Sequence, residues 1–368
     1  MIKSELSRNE CDTVKGILII CIVLGHTLIA NTLIPSLKTI LYSFHVFCFL
    51  FFPFLFQTKQ FNADNIKDHF VRYMVPYLIS VTLCSVVYNI AILPDTNILI
   101  WSKNLIKAIV TGNDLYIEKA CGFGLYWFLP VLLVLNILKN FYYNQKPLAQ
   151  YIILGVFCFG HLSIGAIPWK YKQYFPLFGI HIVIYILPLS IFCGYLFRQY
   201  FFILYKLRLL IVLLFISTVT IMIYISSAVN ISHLGVYSYK NPLLLILHDL
   251  IPIFAFFVFL SFSDMLAKIP FISFIGKNSL LIYITHQIFI FVFESIVNKI
   301  GVLKTYIIFM YTTGILSLLC GICFPLILLY LLNIEQNLKR IVLPRNRKEF
   351  FLGFQNYFKR LRFNSSLL

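Results

Sequence analysis

Two histidines stand inside the first two apolar runs of this chain, His26 in VLGHTL and His45 in SFHVFCF. Imidazole is the side chain that exchanges a proton near neutral pH. In an apolar run it is suited to take the proton of a hydroxyl. Lys15 stands eleven residues before His26. At helical pitch the two fall within about 20° of one face, roughly 16 Å apart along the axis, and Asp12 lies about 40° from that face. A short connection makes the two runs antiparallel neighbours, which brings His26 and His45 to similar depth. There they could share a proton or a substrate hydroxyl. The competing explanation for either histidine alone is a hydrogen bond to a neighbouring helix. The alignment with Lys15 lifts His26 above it.

A second constellation lies late in the chain. Gly276, Ser279, Tyr283 and His286 fall at i, i+3, i+7 and i+10, which makes one polar helix face. This face could bind a substrate or orient a catalytic group, or it could be a packing stripe of small and polar residues. Tyr126 and Trp127 are better explained by an interfacial aromatic belt than by stacking on a substrate. His248 and Asp249 could contact a substrate or pair with each other. His161, His181 and His233 follow no usable pattern. No phosphate-binding loop, dinucleotide-binding glycine motif, nucleic-acid motif or metal-ligand set is evident, so neither a metal nor nucleic acid is expected.

The elements that must carry these residues are membrane spans. The chain is 60% hydrophobic and 12% charged over 368 residues, with a mean hydropathy of +0.89. A water-soluble core of this length could not hide so much apolar surface. Ten runs approach the length of a span: 14–34, 39–56, 71–92, 124–138, 149–167, 175–197, 208–228, 241–262, 273–297 and 305–333. The first is long for the apolar region of a signal peptide, no clear small-x-small cleavage site follows it, and it is read as retained. ILIWSKNLIKAIV, near 98–111, carries lysines four apart and is expected to lie in the interface. The expectation is an all-α, polytopic integral membrane helical bundle of about ten spans over 1–333, followed by a basic amphipathic tail over 334–368. The net charge of +17 sits between apolar runs and in that tail. This suits positive-inside topology and anionic lipid, with both termini cytoplasmic. The nine cysteines mostly lie inside apolar runs, where packing explains them, and no disulfide is expected. Cys320-x-x-Cys323 lies mid-helix and is read the same way.

The segment from Arg8 to His26, with Lys15-Gly16-Ile17, resembles the membrane acyltransferase-3 family, and most closely its fucose 4-O-acetylase-like subgroup. That family has a basic residue, ten intervening residues and a histidine, matched by Lys15 and His26. Its Phe-His is matched by Phe44-His45. Arg72-Tyr73-Met74-Val75-Pro76-Tyr77 resembles its basic run before Pro-Tyr, and Tyr126-Trp127-Phe128-Leu129-Pro130 its Trp-Phe-Leu-Pro. Gly276-x-x-Ser279-x-x-x-Tyr283-x-x-His286 resembles its late motif. Each motif alone is weak, but their order and spacing from Arg8 to His286 are fairly specific. His69 stands where many members carry a second Arg, and Phe52-Pro53 where many have Ser-Gly.

The resemblance implies a multi-pass enzyme of the bacterial cytoplasmic membrane. It would move acetyl from acetyl-CoA to a sugar hydroxyl of a surface polysaccharide or lipid-linked glycan. By the same resemblance His26 is the base or acyl carrier and His45 its partner. Lys15, Arg72 and His69 hold the CoA phosphates, and Tyr283, His286, Trp127 and Ser279 line the acceptor side. The main alternative is a glycan or lipid-linked sugar exporter that uses the histidines as a proton relay. Such transporters often show two similar halves, which this sequence lacks. A glycan polymerase would more often need a larger extracytoplasmic loop than 93–123.

Overall fold

The computed structural model describes residues 6–56, 60–91, 97–166, 178–228, 242–300 and 307–365, and every described element is helical. Lys3, Lys59, Lys170, Lys172, Lys240 and Lys304, which enter the charge argument, lie outside the described residues, as does His233. The protein is an all-α polytopic membrane protein. Among the described residues, seven helical stretches are long and apolar enough to cross a bilayer: Ser36–Leu55, Ala63–Ile90, Leu125–Tyr143, Pro147–Ile164, Ile180–Lys206, Ser279–Val297 and Phe309–Ile334. Apolar stretches at Arg208–Tyr224 and Leu245–Ser261 are shorter. The first run differs from a plain span because it is interrupted. Its helix α1 is Arg8–Gly25, and the chain then turns through five residues of π-helix, Ile29–Leu33.

The chain forms two compact units, one of Met1–Phe56, Phe157–Trp169 and Tyr185–Leu326, the other of Gln57–Val156, Lys170–Ile184 and Ile327–Leu368. The first contains α1, α2 (Pro35–Tyr42) and α3 (His45–Leu55). The second contains α4 (Ala63–Ala91), α5 (Ile98–Thr111), α6 (Asp114–Cys121) and α7 (Phe128–Tyr143). Helices α8 (Pro147–Ala166) and α9 (Ile180–Lys206) have residues in both units. The first unit continues with α10 (Arg208–Ala228), α11 (Pro242–Ser261), the short α12 (Ser263–Leu266), α13 (Pro270–Lys277) and α14 (Ser279–Ile300). Helix α15 (Ile307–Ile334) passes from the first unit to the second, where α16 (Gln336–Val342) and α17 (Arg347–Ser365) follow.

In the first unit, α1 starts cleanly for a local reason. Ser7 Oγ accepts the Glu10 N–H at 3.3 Å, and Glu10 Oε2 accepts the Ser7 N–H at 2.8 Å. Two of the N–H groups orphaned at the helix start are thereby satisfied. The helix then packs on α13 at very short range. A Cβ on Gly276 would stand 1.6 Å from the Asp12 carbonyl oxygen, and one on Gly16 2.0 Å from that of Ile272. Only hydrogen fits at either position, so these two glycines set the α1–α13 distance. Gly194 of α9 approaches the Phe54 carbonyl in the same way, and Arg198 Nη1 donates to that carbonyl at 2.7 Å. A guanidinium thus covers the C-terminal end of α3, beside Pro53.

In the second unit, α5 covers the segment 98–111 expected to be helical. Asn97 caps it through the Leu99 N–H, and it ends at Gly112 with φ 60°. Ile98, Leu99, Ile100, Ile106 and Val110 are all exposed. The expected tail is two helices that pack together and on α4. The Arg347 N–H donates to Asp68 Oδ1 at 3.0 Å, and Arg347 Nη2 to Asp64 Oδ1 at 2.9 Å. Phe351, Leu352, Phe354 and Phe358 of α17 remain exposed among its basic residues.

Candidate active site

Both early histidines stand at helix breaks. His26 is the residue after α1, with φ −98° and ψ −5°. Its carbonyl takes the Asn31 side-chain amide at 3.1 Å, a partner that a continuous helix would have supplied from the backbone. His45 is the first residue of α3, and its Nδ1 donates to the Leu41 carbonyl across the break between α2 and α3. The sequence reading had placed both histidines inside continuous spans. The breaks fall on His26-Thr27 and on Ser43-Phe44, pairs too short to interrupt an otherwise apolar run.

Tyr42 stands by both His26 and His45. Its ring centroid is 5.8 Å from that of His26 and 5.0 Å from that of His45, edge-on in each case. The Tyr42 hydroxyl lies 3.3 Å from His26 Nδ1 and 3.5 Å from Nε2. Gly25 makes room, since a Cβ there would be 3.0 Å from the tyrosine ring. Sequence reasoning missed Tyr42. Its one signal is the i, i+3 spacing to His45, which is easily lost among 23 tyrosines.

The second neighbour of His26 is His286. The two rings are 5.4 Å apart, although 260 residues separate them in sequence. His286 is fully buried, and its Nδ1 lies 2.9 Å from both the Ile282 and the Tyr283 carbonyls. Carbonyls only accept, so Nδ1 carries the hydrogen and Nε2 is the lone-pair nitrogen of the neutral ring. That Nε2 is buried with no hydrogen bond among the described residues. Tyr283 is buried beside it, with ring centroids 6.1 Å apart. His26 itself is only partly buried. The cluster therefore has one accessible imidazole, backed by a tyrosine hydroxyl and two buried imidazoles. Such a group can accept a proton from a hydroxyl and hold the imidazole in place while doing so.

The remaining expected residues divide between the units. Lys15 is in the first, where its Nζ pairs with Asp12 at 3.1 Å and lies 5.6 Å from the Phe52 ring centre. Ser279 opens α14, seven residues before His286; Gly276 belongs to the preceding helix α13, where it serves the contact with α1. His69, Arg72 and Trp127 are in the second unit. There the Asn140 amide donates to His69 Nε2 at 3.3 Å, His69 stacks on Tyr73, and the Arg72 guanidinium is 5.6 Å from the Tyr73 ring. Asn136 donates to the Tyr73 hydroxyl at 3.2 Å, and Lys139 is buried on the same helix. Trp127 ends a single 3-10 turn ahead of α7 and packs edge-on against Phe128.

One further polar group was not foreseen. His161 Nδ1 donates to the Tyr185 carbonyl at 2.6 Å, and His161 Nε2 meets Asp249 at 2.9 Å. The Tyr185 hydroxyl donates to Asp249 at 2.5 Å and lies 3.0 Å from His248 Nδ1. Asp249 thus engages His161 and Tyr185. Residues from α8, α9 and α11 meet here. No local spacing could have revealed them.

A family model described as an acyltransferase domain, Acyl_transf_3, matches residues 8–334, and the chain belongs to that family. It is therefore a membrane-embedded acyltransferase. No curated protein matches the chain, and no solved structure does.

Proposed function

We propose that this enzyme moves an acetyl group from acetyl-CoA to a sugar hydroxyl of a surface polysaccharide or lipid-linked glycan in a bacterial cytoplasmic membrane. The observation that carries the reading is the partly accessible His26, held at a helix break against Tyr42 and His286. In the proposed step His26 takes the hydroxyl proton as the oxygen attacks the thioester carbonyl. The new C–O bond forms, the C–S bond breaks, and the CoA thiolate leaves with a proton returned from the imidazole. Attack by His26 itself, with an acetyl-imidazole intermediate, uses the same residues in two stages. Tyr42 orients the His26 ring, and His286 supplies a second acceptor nitrogen. His45 acts through its contact with Tyr42. Tyr283 and Ser279, on the helix of His286, belong to the acceptor side, and Trp127 is assigned there by the resemblance. Lys15, Arg72 and His69 are the proposed holders of the CoA phosphates, a task suited to cations.

The test is the O-acetyl content of surface glycan, read by NMR, with wild-type protein and His26→Ala at equal expression. Acetyl signal with the wild type and none with the variant is expected. Acetylation unchanged on deleting the gene, with less glycan exported, would instead favour an exporter in which the His161–Asp249–Tyr185 network relays protons.

A further inference from the structure

Three buried atoms on α14 have no hydrogen-bond partner among the described residues: His286 Nε2, Gln287 Oε1 and Glu294 Oε1. Buried polar atoms left unmade are costly and few in native proteins. Inside a membrane no bulk water compensates them. Three on one helix mark a surface shaped for something that hydrogen-bonds to it. Gln287 and Glu294 lie within about 20° of one face, and Glu294 is roughly 12 Å beyond His286 along the axis. Glu294 lies beside Ser317 and Leu28, at the break that follows His26. A carboxylate within a span points to a functional site by default.

The chemistry of the three atoms narrows the ligand. An amide oxygen, a carboxylate oxygen and a lone-pair imidazole nitrogen are all acceptors. What is missing is a set of donors spread over several ångströms. A thioester and an ionised phosphate donate nothing, and a phosphate entering a membrane-buried site must give up its water. Sugar hydroxyls donate, are neutral, and come in such spaced sets.

We propose that Glu294 and Gln287 form the acceptor subsite, binding the hydroxyls of a neutral polyhydroxyl acceptor and leading it along α14 to His26. This rests on the acetyl-transfer reading above. The test uses full-length protein in proteoliposomes with acetyl-CoA. CoA release is followed against neutral alkyl hexosides as one probe and hexose phosphates as the other, and acetyl-CoA affinity is measured separately. Alkyl hexosides should accelerate CoA release and hexose phosphates should not. Glu294→Gln should raise the half-saturating hexoside concentration about tenfold or more, with acetyl-CoA affinity unchanged. Gln287→Leu should shift it less, in the same direction, and carries the test if Glu294→Gln does not assemble. Half-saturation unchanged in the variants, or preference for hexose phosphates, overturns the subsite while leaving an active enzyme. Wild type that binds no acetyl-CoA and releases no CoA with any probe, indistinguishable from His26→Ala, overturns the acetyl-transfer reading and the subsite with it.

Discussion

At the scale of single residues, Tyr42 and His45 make separable predictions. Tyr42→Phe keeps the ring between the histidines and removes only the hydroxyl near His26. The expected result is a loss of about tenfold in transfer rate, the order of one lost hydrogen bond, with melting temperature unchanged. His45 uses its Nδ1–H to tie the Leu41 carbonyl. Asn can supply a donor of similar reach. His45→Asn should therefore retain most activity where His45→Ala loses it, and initial rates of the two variants side by side decide the point. The site residues were legible to an uneven degree. Lys15, His26, His45, Ser279, Tyr283 and His286 do fall in one unit, and His26 does reach His286. Tyr42 was hidden because aromatic residues are common here and carry many roles. The His161–Asp249 pair was hidden because its members are 88 residues apart and chain spacing says nothing at that range.

At the scale of elements, the glycines at the α1–α13 contact give the sharpest expectation. Gly276→Ala and Gly16→Ala each place a methyl group against a backbone carbonyl that cannot yield. Both should lower thermal stability in detergent by several kcal/mol equivalents, as overpacking against backbone does. Gly155→Ala is the control: nothing lies within 4 Å of the added carbon, so the substitution should be neutral or stabilise by about 0.4–1 kcal/mol. Differential scanning fluorimetry of the three variants checks the order. Helix α5 was legible as a short helix from its lysine spacing and apolar faces. The breaks after Gly25 and Tyr42 were not, because an apolar composition satisfies the bilayer whether or not the helix is continuous. What forms the breaks is packing against distant segments, such as Gly314 of α15 against Ile29.

At the scale of the whole molecule, the C-terminal hairpin of α16 and α17 is held to α4 by unequal ties. The Arg347–Asp64 pair is largely exposed, with side-chain exposures of 33% and 75%. Pairs of that kind contribute little. Asp68 accepts a backbone N–H at the start of α17, which is worth more. Trypsin should therefore cut near Arg345 and Arg347 markedly faster in Asp68→Ala than in Asp64→Ala, as read by the time course of fragments on a gel. The helical class and the membrane setting of the molecule were legible from composition alone. Its division into two interleaved units was not, because each unit draws on early, middle and late parts of the chain.

That interleaving has a consequence for biosynthesis. Helix α1 leaves the ribosome well ahead of α13 and α14, which begin at Pro270 and Ser279. At about 5–20 residues per second, α1 waits roughly 12 to 50 seconds for the glycine-faced partner that fits it. Through that interval its charged first half and His26 have no native cover, and some membrane-resident holding factor or neighbouring lipid must keep it from wrong pairings. A nascent chain arrested before residue 286 cannot join His26 to His286. If the proposed site is right, transfer waits until α14 has been inserted.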